Sequence, residues 1–167
     1  MLRFNSDHKF KIMQIADTQE IPAVSPDTLS LINNALDREK PDLVIFTGDQ
    51  IKGYSKKFKK DPAIIESTTD ILVEPIAKRN IPFMVTYGNH DAQCGIDNRG
   101  QYKFYAKYDN FISGDLRNSD DVGTADIQIY SSTEDKPVFE LYIIDSHGKA
   151  KDGAGYAPVD KKQIEWY

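Results

Sequence analysis

The chain has 167 residues and a single cysteine, Cys94, so no disulfide can form within it and no cysteine-rich zinc site can be built. Tryptophan occurs once and histidine three times, at His8, His90 and His147. No apolar run approaches the roughly 20 residues that a membrane helix needs. The first nine residues are polar, without the apolar stretch of a signal peptide. Cytoplasm is the expected location, and a membrane partner is not expected. Basic charge is also short: 21 Lys and Arg against 26 Asp and Glu leave a net charge of −5. Nucleic-acid partners normally demand a basic face, so none is expected from the charge.

What remains is an ordinary globular composition, 40% apolar and 28% charged, long enough for one domain with its own core. Residues 10–16 form a short apolar run that stops at Asp17 and reads as a buried strand. Ser25-Pro26-Asp27 then has the order of a helix start, and Leu29, Ile32, Ala35 and Leu36 give that helix an apolar face. A second buried strand over 42–47 stops at Gly48-Asp49. Asp61-Pro62 opens a second helix, which Pro75 is expected to kink or restart. A third strand over 82–87 stops at Gly88-Asn89-His90-Asp91. Apolar strands alternating with helices predict a mainly parallel sheet covered on both faces.

Beyond residue 100 the pattern is less regular. A helix is expected over 100–108, a polar loop over 114–123, strands over 125–131 and 138–144, and a turn-rich loop over 153–158. A last helix begins at Asp160, with Ile164 and either Trp166 or Tyr167 facing inward. It stops after about two turns, which predicts that the single domain, 1–167, is incomplete at its C-terminal end.

Three successive strands thus end in metal-binding residue types. In parallel sheets ligands bind outside the carboxyl ends of the strands, so the fold would gather Asp17, Asp49, Asn89 and His90 on one rim. Two carboxylates side by side repel unless a cation lies between them. Asp49 could bridge two ions, with Asp17 and the Asn89 oxygen completing the two sides. Oxygen with imidazole suits Mn, Fe or Zn, as two divalent or trivalent ions. A pair of such ions is the common clamp for phosphate-ester hydrolysis. His90 would face the substrate and stabilise or protonate it, and Asp91 would orient the imidazole. Taken singly, Asp17 and Asp49 are loop caps as readily as ligands. Their order with GNHD favours ligands. The lysines at 56, 57, 59 and 60 read either as an anion-attracting loop or as a solvated one.

IADTQ at 15–19, FTGDQ at 46–50 and YGNHDA at 87–92 resemble the first three motifs of the calcineurin-like metallophosphoesterases. EKPDLVIFTGDQI, NIPFMVTYGNHDA, LYIIDSHG and GYAPVDKKQIEWY resemble the branch related to purple acid phosphatases. The resemblance implies an α/β fold, a two-sheet β-sandwich flanked by helices. It implies that Asp17 binds a first metal, Asp49 bridges, Asn89 binds a second and His90 assists catalysis. The implied reaction is hydrolysis of phosphate mono- or diesters by a metal-bound hydroxide, on a phosphorylated substrate whose class the motifs leave open. Two features depart from the family pattern. Gln19 stands where the first motif has a histidine, as a weaker, neutral metal ligand or a pocket residue. No Gly-His-x-His follows. A non-catalytic member that binds metal or phosphate is the alternative these departures imply.

Overall fold

The computed structural model describes residues 1–113, 121–150 and 152–167. The strands β1 (Leu2–Arg3), β2 (Ile12–Ile15), β3 (Leu43–Thr47), β4 (Phe83–Thr86), β5 (Ala125–Tyr130) and β6 (Pro137–Ile143) form two sheets among these residues. One is parallel, ordered β2-β3-β4; the other is ordered β1-β5-β6, with β5 and β6 antiparallel. The helices α1 (Pro26–Glu39), α2 (Pro62–Ala77) and α3 (Asn98–Ala106) accompany the parallel sheet, and α4 (Lys161–Trp166) follows β6.

The two-residue period of a strand builds the layers. On β3, Val44 and Phe46 join Phe83 and Val85 of β4 in a core with Ile32 and Leu36 of α1 and Leu72, Val73 and Ile76 of α2. The alternate residues Leu43, Ile45 and Met84 pack instead against Ala125, Ile127 and Ile143 of the second sheet. β3 and β4 are therefore apolar throughout because both faces are covered, by helices on one side and by a sheet on the other.

The helix starts follow their expected chemistry. Ser25 accepts from the Asp27 N–H to cap α1, and Asp61 accepts from Ala63 to cap α2. Lys40 ends α1 in a left-handed conformation just before Pro41.

Several expectations are corrected. β2 is half-exposed rather than buried: Ile12 and Gln14 lie on the face of Leu43 and Ile45 that meets the second sheet, but at this edge the second sheet leaves them uncovered. Beside it the two sheets leave a cleft of about 410 Å³ lined by Ile12, Gln14, Leu141 and Ile143 among others. β5, whose alternation reads as half-exposed, is mostly buried, and its neighbour β6 is the exposed edge of the second sheet. α2 runs on through Pro75 to Ala77. Proline there removes one hydrogen bond in the last turn, while Val73, Pro75 and Ile76 stay buried. α3 begins two residues earlier than expected, capped by Asp97. In α4 Ile164 is exposed, and the inward residue is Gln163, which donates to Asp121, Thr124 and the Asp145 carbonyl. Tyr142 gathers both Trp166 and Tyr167 against its ring. Of the polar loop expected over 114–123, residues 114–120 lie outside the described residues.

Candidate metal centre at the strand ends

In-phase parallel register sets the rim. Ile15 pairs with Phe46, and Thr47 with Thr86, so the three strands end at one level. The chain beyond them stays paired. The Asp17 N–H donates to the Gly48 carbonyl at 3.0 Å, Gln19 to Asp49 at 2.9 Å and Glu20 to Gln50 at 3.1 Å. Glu20 turns its carboxylate to the Ser25 N–H and the Thr28 hydroxyl, fixing the start of α1 to the same rim.

The second and third loops interlock at two glycines. Gly48 has φ +102°, and a Cβ on it would lie 2.6 Å from the Gly88 nitrogen. A Cβ on Gly88 would fall 2.1 Å from Asp49 Oδ1. That space is filled by the Asp49 carboxylate, which is buried and accepts the His90 N–H at 2.8 Å through Oδ1. Its other oxygen, Oδ2, makes no hydrogen bond among the described residues. Asn89 lies between Gly88 and His90, hence beside Asp49. The loop after β6 closes the remaining side, where Gly148 approaches Asn89.

Non-glycine residues with positive φ gather here: Asp17 (53°), Gln19 (43°), Asp49 (53°) and His147 (65°). Such backbone costs about 1–3 kcal/mol per residue and persists where the surroundings enforce it, typically at functional sites. Buried polar capacity is also left over at the strand ends. Gln50 Oε1, Thr86 Oγ1 and the Tyr87 hydroxyl are buried without a partner among the described residues.

Asp91 does not take the role expected of it. Its carboxylate turns away from the His90 ring and accepts three backbone N–H groups, those of Asp49 (2.8 Å), Gly88 (2.8 Å) and Ile51 (3.2 Å). The residue is 1% exposed. Burial pushes its carboxyl up to about 6 against the pull of these three donors. The His90 ring instead meets Gln93, with Nδ1 3.1 Å from Oε1, and the Tyr54 ring, edge-on at 4.8 Å between centroids. Neither Tyr54 nor Gln93 stands out in the sequence; the close approach of Gly53 to the third loop is what brings Tyr54 to His90.

Asp145 and His147 follow a strand and read either as further rim residues or as part of a solvated loop; the structure treats the two differently. Asp145 is buried, accepts from Asn98 and from the His147 N–H, and its carboxyl is pushed up chiefly by burial. His147 turns its ring towards Asp160, 3.6 Å away. Cys94 is buried and its thiol is pushed up by burial, as befits a packing residue.

The backbone pairings bring four candidate oxygen donors to the rim, the carboxylate residues Asp17 and Asp49 and the amide residues Gln19 and Asn89. Among the described residues, no three His, Cys, Asp or Glu side chains gather as a metal-holding group. The set fits an ion held through oxygen, such as Mn, better than it fits Fe or Zn, which favour added imidazole. The cradle that Gly88 leaves for Asp49 favours the fit.

A layered α/β sandwich with carboxylates and a histidine on the ends of parallel strands defines a class of phosphoesterases. Residues 10–165 match the calcineurin-like phosphoesterase family, and the chain belongs to it. It is 28% identical to the probable inactive purple acid phosphatase 14 of Arabidopsis thaliana, over 99% of this chain and 47% of that protein. It is 33% identical to phosphatase DCR2 of Saccharomyces cerevisiae, over 99% of this chain and 32% of that protein. With the probable inactive purple acid phosphatase 29 of Arabidopsis thaliana it shares 26% identity, over 99% and 48%. The chain spans about a third to a half of the length of these relatives. No helix among the described residues is long and apolar enough to cross a membrane.

Proposed function

We propose that the protein hydrolyses phosphate mono- or diesters with the help of divalent metal held at the strand ends. Asp17, Gln19, Asp49 and Asn89 would hold the metal. When bound, it supplies Lewis acidity towards the phosphoryl oxygens and lowers the pKa of a water. The observation that carries the reading is the shared cradle of Gly48, Asp49 and Gly88, which leaves one Asp49 oxygen on the His90 N–H and the other without a hydrogen-bond partner among the described residues.

The remaining work falls to this chain's own groups. Gly88 and the His90 N–H fix the direction of the Asp49 carboxylate. Asp91 holds the backbones of both loops from below. With Gln93 Oε1 accepting from Nδ1–H, a doubly protonated His90 would present Nε2–H, which can donate to the phosphoryl group and pass its proton to the leaving oxygen. The substrate is a phosphorylated compound whose class the site leaves open.

A second reading has two observations of its own: Gln19 stands in a histidine's place, and two relatives are named as probably inactive. On that reading the rim binds a single metal or a phosphate group without turnover. Metal analysis of the full-length protein separates them, two equivalents favouring the enzyme and one or none the binding protein. The direct test is Asp49→Asn in the full-length protein. Mn-stimulated hydrolysis of 4-nitrophenyl phosphate is expected to fall by about 100-fold or more, as when a preorganised charge contact is removed from a reaction site. An unchanged rate contradicts the proposal.

A further inference from the structure

We propose that the loop 52–60 is a second anion subsite beside His90, and that it reads a second phosphate on the leaving-group side of the substrate. The inference rests on the reading of His90 as the group that faces the leaving oxygen.

Lys52, Lys56, Lys57, Lys59 and Lys60 fall within nine residues, with no acid among them, in a chain of net charge −5. None of the five forms an ion pair among the described residues, although other lysines, such as Lys78 and Lys107, do. Unpaired cations grouped at a concave wall concentrate anions there.

The loop is fastened to the proposed reaction site. Gly53 is buried against the backbone of the third loop, and a Cβ on it would lie 2.0 Å from the His90 carbonyl oxygen and 2.9 Å from the Cys94 nitrogen. Only glycine permits this approach. It sets the Tyr54 ring edge-on to His90 at 4.8 Å, with the Lys52 ammonium 5.2 Å from the centre of the Tyr54 ring. Ammonium, phenol and imidazole thus follow one another towards the rim.

Behind them is a cavity of about 270 Å³. Lys56, Lys59 and Lys60 line it, along with Gln93, the partner of the His90 ring. Phe58 and Cys94 form its buried floor. Cavities for drug-sized ligands run from roughly 300 to 1,000 Å³, so this one suits a compact charged group rather than an extended chain. Phosphate, with up to two charges, matches several ammonium groups better than a single carboxylate does.

The backbone supplies an independent pointer. Lys59 and Lys60 are both left-handed, with φ of 52° and 55°. The turn alone would favour glycine or asparagine at such positions. Lysine at both, side by side on the cavity wall, places function above local stability.

The test removes charge while respecting the turn, in the triple variant Lys56→Gln, Lys59→Asn, Lys60→Asn of the full-length protein. The ratio of kcat/KM for a bisphosphorylated substrate to that for 4-nitrophenyl phosphate is expected to fall about tenfold or more, as expected from removing several phosphate-facing charges. Fructose 1,6-bisphosphate and a doubly phosphorylated peptide serve as separate arms; the arm that shows the lysine-dependent preference identifies the carrier, and loss in neither overturns the subsite. Inorganic pyrophosphate is titrated in parallel into metal-free protein and followed by amide NMR. Shifts at residues 53–60 and 93–94 that vanish in the triple variant support the subsite, even if wild type turns over no ester and the proposed reaction falls. Absence of those shifts in wild type overturns it, even if the enzyme is active.

Discussion

Asp91→Ala is expected to destabilise the protein by about 3–6 kcal/mol, measured by urea unfolding at neutral pH. Three backbone N–H groups from two loops converge on this one carboxylate, which is almost wholly buried. Removing an acceptor strands each donor, at about 1–3 kcal/mol per buried group. The loss of a small side chain leaves too little room for waters to replace all three bonds. Asn at the same position keeps one accepting oxygen and turns an amide N–H₂ towards the other donors, so Asp91→Asn is expected to recover only part of the loss. If Asp91 mainly oriented the His90 ring, alanine would cost activity with little change in stability. An unfolding free energy within about 1 kcal/mol of wild type, with hydrolysis abolished, is that result and contradicts the role assigned here.

Gly48→Ala is expected to lower Tm by roughly 8–16 °C, from a loss of about 4 kcal/mol at some 2–4 °C per kcal/mol for a chain of this size. Two costs combine. At φ +102° any side chain is strained, and the added Cβ would meet the Gly88 nitrogen at 2.6 Å, the Gly88 Cα at 2.8 Å and the Tyr87 carbonyl carbon at 3.0 Å. All three are backbone atoms, so no rotamer change relieves the overlap. Relief requires the second and third loops to separate, which pulls Asp49 from the His90 N–H. The variant is therefore expected to lose metal affinity as well as stability. Wild-type Tm in Gly48→Ala would show that the loops are not locked together at this point.

The strand ends were legible because the signal is local. Each of the three apolar runs stops at its polar residue, and parallel pairing in phase then needs no further information to align Asp17, Asp49 and Gly88. Gly48 and Gly88 likewise announce a close approach. What was not legible depends on direction rather than position. Asp91 follows His90 in sequence, but the short 3₁₀ turn Asp91–Cys94 sends its carboxylate back under the loops, and nothing local marks that turn. Gln163 was passed over for Ile164 because apolar residues are the usual inward choice; three acceptors, on half-buried Asp121 and buried Thr124 and Asp145, decide otherwise. β2 reads as a buried strand from its composition, since an edge strand and a central strand can share the same apolar content. Tyr54 could not be paired with His90 without knowing that Gly53 brings the two loops into contact.

All of the proposed chemistry needs a cation at the place where the parallel strands stop. Diffraction from crystals of the full-length protein soaked in Mn²⁺, recorded for anomalous scattering, examines that need directly. The expected map has a manganese peak coordinated by side-chain oxygens of Asp17, Asp49 and Asn89. A map at saturating Mn²⁺ with no peak there, or with the Asp17 and Asn89 side chains directed to opposite sides of the sheet, contradicts the account.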